Sequence, residues 1–307
     1  MSQDASKPSD IPELKPEEWP LTSAWQPLTP RGVAAFALAP LGRLLLVQFI
    51  VALLAAGAVL WFLTTAWFPV LRESIRQLPE SGGIEDQQLS CPRASTEPLA
   101  ENHFLSVVVD LDGTGGASLA TDLRVEFQRR QLLLCSFPGC LGWNYPKGWV
   151  SQFNHPELES WWGAWETVIY LSIGLAVVVG LFANWLLLAT LYCAVARLYA
   201  FFKDRELTLL GSWKLSAASL LPATLLSASA LVLYGLGVID LLRCLVLWAL
   251  HLPVGWAYLF ASPLRLRRAS DALQVPGRNP FGSEKPGLSN PFSSSDERAA
   301  PRARGKQ

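Results

Sequence analysis

Residues 44–71 read LLLVQFIVALLAAGAVLWFLTTAWFPVL, a run without one charged side chain and with Gln48 as its only strongly polar residue. A bilayer core about 30 Å thick needs roughly 20 apolar residues of helix, so the run is long enough to span. For a cleaved signal peptide the run is too long, and the region before it is about twice the usual length. An uncleaved anchor is expected, and every later segment must then be placed within, inside or outside the same membrane.

Composition agrees. Charged residues make up 16% of the 307, against about 25% in an average soluble domain. Lys plus Arg equals Asp plus Glu at 25 each, a balance that argues against a nucleic-acid partner. Five cysteines are too few and too scattered for a disulfide-built scaffold.

Residues 1–41 are polar and proline-broken and are expected to form a disordered or interfacial cytoplasmic segment. Within them, 31–40 (RGVAAFALAP) reads as a short helix along the inner interface or a partly ordered linker. The first span occupies 42–71. Residues 72–161 turn polar and form the only stretch able to fold as a water-facing domain. In it 104–111 (FLSVVVDL), 121–127 (TDLRVEF) and 131–137 (QLLLCSF) read as strands separated by turn residues, so a small, mostly antiparallel sheet is expected. The FPGCLGWNYPKGW that follows reads as an irregular loop. A second span lies in 162–200, its apolar length at 167–193 suiting a tilted helix that runs a turn or two past the bilayer. Trp161, Trp162 and Trp165 at its start suit the headgroup region. A basic connection covers 201–214, and two more spans fill 215–262, at 215–237 and 241–260. The tail 263–307, rich in Ser, Pro, Gly and Arg, reads as disordered.

Basic residues in short loops mark the cytoplasmic side. Arg197, Lys203, Arg205 and Lys214 cluster before the third span, and Arg265, Arg267 and Arg268 follow the fourth; the turn between those spans holds only Arg243. Both clusters therefore go to the cytoplasm, 72–161 goes outside, and both termini lie inside. Cys91, Cys135 and Cys140 fall in the outer segment, where oxidation is permitted. Cys135 and Cys140 can close the SFPG loop, or Cys91 can pair with either; three is an odd number. Cys193 and Cys244 read as small apolar residues in or near the membrane.

The stretch VVVDLDGTG at 107–115 looks like the nucleophile motif of haloacid-dehalogenase-type phosphatases, with Asp110 and Asp112 as nucleophile and acid/base. That chemistry also needs a lysine, a later acidic pair for Mg²⁺ and a sizeable α/β domain, and only about 45 outer residues follow Thr114. A strand ending in an Asp-Gly turn is the preferred reading. His251 lies midway along the fourth span, where an ionisable group raises the question of function. Gln48 and Asn184 are its candidate hydrogen-bond partners, and together the three form a candidate intramembrane polar site; packing against a neighbouring helix is the plainer reading. His103 and His155 stand at no metal-ligand spacing, so neither metal nor cofactor is expected. Asp240 and Arg243 are placed to cap the fourth helix and pair with each other, and Glu166 with Arg243 is a second candidate pair. Ser219, Ala223, Ser227 and Ala230 form a small-residue stripe for close packing, and Pro222 and Pro253 are candidate kinks. In the tail, Asn279-Pro280-Phe281 and Asn290-Pro291-Phe292 repeat one tripeptide, a candidate docking motif for partner proteins.

Taken together, IRQLPESGGIEDQQLS at 75–90, VVVDLDGTG at 107–115 and WKLSAASLLPATLL at 213–226 resemble segments of bacterial membrane proteins grouped as domain of unknown function 1189. The resemblance covers about residues 30–265. It implies an early span, an outer β-rich segment and a bundle of later spans, in a family without an established activity. The tryptophan-rich SFPGCLGWNYPKGW and the tail depart from that pattern.

The expected fold is thus an integral membrane protein, mainly α, with four transmembrane helices and a small extracytoplasmic β-rich domain between the first and second. It is placed in the bacterial cytoplasmic membrane, with the lipid bilayer as its first partner. The expected role is non-enzymatic: the outer domain binds an envelope component or partner protein. The alternative is a small transporter or transporter accessory that uses a polar cavity between helices.

Overall fold

The computed structural model describes residues 25–92, 95–113 and 121–268. The expectations for the first 24 residues and for both Asn-Pro-Phe tripeptides lie outside the described residues. Four helices are long and apolar enough to cross a membrane: Leu41–Arg76, His155–Phe202, Leu209–Gly235 and Leu241–Arg265. A β-region lies between the first and the second.

Helix α1 (Pro30–Phe36) starts at Thr29, whose hydroxyl accepts from the Gly32 amide at 3.0 Å, with proline in its first turn. Val33, Ala34, Ala35 and Phe36 are all buried, packed with residues of the later helices. Arg31, the one charged residue of this helix, is exposed. Nζ of Lys214 donates to the Ala39 carbonyl at 2.7 Å just after α1, so this lysine is buried rather than displayed in a basic loop.

Helix α2 (Leu41–Phe62) runs through a π-turn (Leu63–Trp67) into α3 (Phe68–Arg76). Pro69 has no amide to donate, and the hydroxyls of Thr64 and Thr65 bond to the carbonyls of Leu60 and Trp61 at 2.9 and 2.8 Å. The helix widens there instead of breaking.

Helix α4 (His155–Phe202) has 48 residues, about 72 Å at 1.5 Å per residue. The Asn154 side chain accepts from the Glu157 amide at 3.1 Å, and Pro156 suits the first turn. Nothing after it breaks the helix, so α4 begins within what reads in sequence as the β-rich segment. Helix α5 (Leu209–Gly235) begins at the Thr208 cap, which shortens the basic connection to 203–208. It ends in a Schellman turn: Val238 N–H bonds to the Leu233 carbonyl and Gly237, at φ 70°, to that of Tyr234. The last span is two helices, α6 (Leu241–Ala249) and α7 (His251–Ala261), because Pro253 cannot donate to the Ala249 carbonyl. Gly255 of α7 lies against Ser219 and Ala223 of α5, which places the small-residue stripe in a helix contact.

In the β-region, β1 (Gly83–Glu85) and β2 (Gln88–Ser90) form a hairpin whose central residues, Asp86 and Gln87, both have positive φ. Strand β8 (Ser151–Gln152) pairs with β1. The larger sheet has the order β3 (Ser95–Glu101), β4 (Leu105–Val109), β5 (Leu123–Phe127), β6 (Gln131–Ser136), β7 (Gly139–Asn144). The pairing is mostly antiparallel, as expected, with one parallel pair, β4 and β5, where Asp122 and Leu123 bond to the carbonyls of His103 and Phe104 just before β4. Three of the expected features change here. The loop expected after 137 supplies a full strand, β7, registered against β6 from Gln131↔Asn144 to Ser136↔Gly139. The β-region ends at Asn154, not near 161, and β3 adds an edge strand that sequence periodicity missed. Leu99, Leu105, Val107 and Val109 turn one sheet face toward Val70 and Leu78 at the end of the first long helix.

Candidate functional site

The sheet does not close fully on the helices. Between Val107, Phe127 and Leu132 on one side and Ile75 and Leu158 on the other lies a cleft of about 610 Å³, within the ~300–1,000 Å³ range of small-molecule sites. Trp143, Trp149 and Trp161 stand at it half-exposed. Among the described residues, its lining carries no charged side chain.

Local chemistry explains how the walls are held. Gly82, at φ 157°, lets its segment approach Phe153, whose amide bonds to the Gly82 carbonyl at 3.0 Å. Tyr145 is buried and donates its hydroxyl to the Gln128 carbonyl at 2.9 Å, and burial pushes its pKa up to about 12. Arg72 on α3 pairs with Glu166 on α4, clamping the two helices beside the cleft. Phe68 meets the Trp162 ring edge to face at 5.3 Å.

Two buried polar atoms of residues at the cleft lack partners. Oγ of Ser74 and Nε1 of Trp162 are buried and make no hydrogen bond, and both residues line the cleft. An unmade bond at a buried donor costs about 1–3 kcal/mol.

The residues singled out from sequence are dispersed. Cys135 and Cys140 are joined, facing each other across β6 and β7 with Cα atoms 4.0 Å apart; Cys91 is buried in the core of the same region, outside that bond. Gln48 is buried, Asn184 is exposed on α4, and His251 bonds through Nδ1 to the Trp248 carbonyl. The three are not gathered into one polar site. Asp110 accepts from the Asp112 and Gly113 amides at 3.3 and 3.0 Å, and Asp112 pairs with Arg129 at 3.1 Å; this is turn chemistry. The Glu166–Arg243 pair is corrected: α3 extends the first span far enough to bring Arg72 to Glu166, and Arg243 pairs with Asp240 at 3.5 Å. His103 faces Asp122 at 3.7 Å and His155 faces Glu159 at 3.2 Å. Among the described residues no group of three His, Cys, Asp or Glu side chains is placed to hold a metal ion.

Sequence reasoning missed the cleft itself. Its tryptophans were visible, in the 138–149 stretch and at the start of α4, but Ser74 carries no signal until the fold buries it.

Comparisons with protein-family models, curated proteins and solved structures find no match for this chain. The cleft is therefore interpreted from its own chemistry.

Proposed function

We propose that this is a non-enzymatic, multi-pass protein of the bacterial cytoplasmic membrane whose β-region, on the outer side, binds an apolar component of the envelope. The four spans hold that region at the bilayer surface, and both termini lie in the cytoplasm. The observation that carries the reading is the uncharged cleft of about 610 Å³, lined by apolar residues and edged by Trp143, Trp149 and Trp161. A concave, mostly apolar cleft of this size is the usual form of a small-molecule site. The likeness to the domain of unknown function 1189 proteins belongs to the same proposal and rests on the three segments quoted above.

The test is binding of N-phenyl-1-naphthylamine, which fluoresces in apolar surroundings, to the full chain held in amphipol. One saturable site is expected in the unaltered protein and none in Leu132→Trp, which fills the cleft from its floor. Equal uptake by both would remove the cleft as a binding site.

A further inference from the structure

Resting only on the four helices crossing a bilayer, we infer that the turn between β6 and β7 dips into that bilayer. Phe137 and Leu141 then lie in its headgroup and upper acyl layer. Neither residue lines the cleft, so the role of this tip is separate from what the cleft binds.

Residues 131–144, QLLLCSFPGCLGWN, hold no charged side chain. They form the last strand pair at one edge of the larger sheet, and every residue of β7 is exposed. Phe137 is 69% exposed and Leu141 59%. The bond between Cys135 and Cys140 ties the two strands directly behind Phe137. Large apolar side chains gathered on one exposed tip mark an interaction surface.

Contacts at the start of β5 fix the level of that tip. Ser136 is registered against Leu123, and its hydroxyl donates to the Asp122 carbonyl at 2.7 Å. Asp122 also accepts, through its carboxylate, from Tyr234 in the last turn of α5. Tyrosine favours the bilayer interface, and Leu236 and Val238 stand exposed in the turn that follows, before the next span. The bilayer boundary therefore passes close to Asp122, and Phe137, directly after Ser136 in the chain, reaches it. Leu141 follows Gly139, the first residue of β7, by two positions. That is about 7 Å at the rise of a strand, inside the roughly 5–10 Å that interfacial apolar surfaces occupy. Lipid is what this position supplies: the tip adjoins the ends of the spans and carries no charge to desolvate. Leu132 and Trp143 of the same hairpin line the cleft, so insertion ties that wall to the membrane surface.

The experiment places the photocrosslinker p-benzoylphenylalanine at Phe137, Leu141 or Gln88, one at a time. The full chain is held in vesicles of dioleoylphosphatidylglycerol and dioleoylphosphatidylethanolamine. Gln88 is exposed beside Leu89, whose amide bonds to the Arg129 carbonyl past the far end of β5. All three positions are exposed, so the replacements leave the core packing alone. After irradiation, intact mass should rise by one phospholipid at positions 137 and 141 and stay unchanged at 88. Absence of lipid from both 137 and 141, or an equal adduct at 88, would overturn the insertion. A mass of two chains in place of the lipid adduct would also overturn it and assign the tip to a second copy. Loss of the chain from carbonate-washed vesicles would instead remove the spanning reading itself, and the tip with it.

Discussion

The hydroxyl of Tyr234, in the last turn of α5, donates to Oδ2 of Asp122 at the start of β5, 2.7 Å away. Around this bond the rings of Phe62, Phe104 and Tyr234 stand 5.0–5.4 Å apart, and Asn102 Nδ2 donates to the Ala66 carbonyl in the π-turn at 2.6 Å. The β-region is thereby seated on two helices far apart in sequence. A bond to a carboxylate contributes about 1.5–3 kcal/mol, so at this part-buried site Tyr234→Phe should lower the unfolding free energy by about 2 kcal/mol. Repeating it in an Asp122→Asn background should cost much less, because the partner is already weakened. Additive losses in the two denaturant titrations would show that the pair is not coupled.

Gly82 has a conformation that L side chains rarely adopt, and a Cβ there would come within 2.6 Å of the Phe153 carbonyl oxygen. Gly82→Ala should cost about 1–3 kcal/mol and should push apart β1 and β8 next to the cleft. Thermal unfolding and naphthylamine uptake should fall together. A neutral effect on both would mean that the backbone does not make this approach.

The bond between Cys135 and Cys140 closes a short loop across β6 and β7. In the chain-entropy picture so short a loop contributes about 2 kcal/mol. Alkylation of the denatured protein should add two more adducts after reduction than before, read by intact mass. Cys140→Ser should shift unfolding to lower denaturant without abolishing the fold. Equal adduct numbers would show the bond to be absent.

Tyr145 supplies a pH dependence. Its pKa stands at about 12 in the folded protein against an ordinary value of 10.0, so the folded state holds the phenolic proton more tightly than the unfolded chain does. That stabilisation is complete below about pH 10 and is lost as pH rises toward about 12. Urea midpoints of the unaltered protein should hold steady up to about pH 10 and then drop. Tyr145→Phe, lacking the bond to Gln128, should start lower and fall less steeply over the same interval. Parallel curves would place the titration elsewhere.

How far these features are legible in sequence depends on how local their causes are. The spans follow from length and apolarity alone, and the Asp240 cap of α6 from a side chain reaching its own helix. The strand at 139–144 is hidden because Gly, Pro and Trp signal a loop locally, while its pairing is decided by β6. The parallel β4–β5 pair is hidden for the same reason: the contacts of Asp122 with His103 fix it, and those are tertiary. Glu166 was visible as a charge at a membrane boundary, but its partner depended on α3 continuing past the π-turn. The cleft was least legible, since it is space left where elements fail to meet, and no residue encodes a gap by itself.

The central claim is that the β-region works on the outer face of the membrane, across from the 203–208 connection. Gln88 and Glu206 are exposed and lie on those two segments. Gln88→Cys and Glu206→Cys, made separately, would be treated with a membrane-impermeant maleimide in intact spheroplasts and again after lysis. The account predicts labelling of Gln88→Cys in intact spheroplasts and of Glu206→Cys only after lysis. Labelling of Glu206→Cys before lysis, with Gln88→Cys protected, would contradict it.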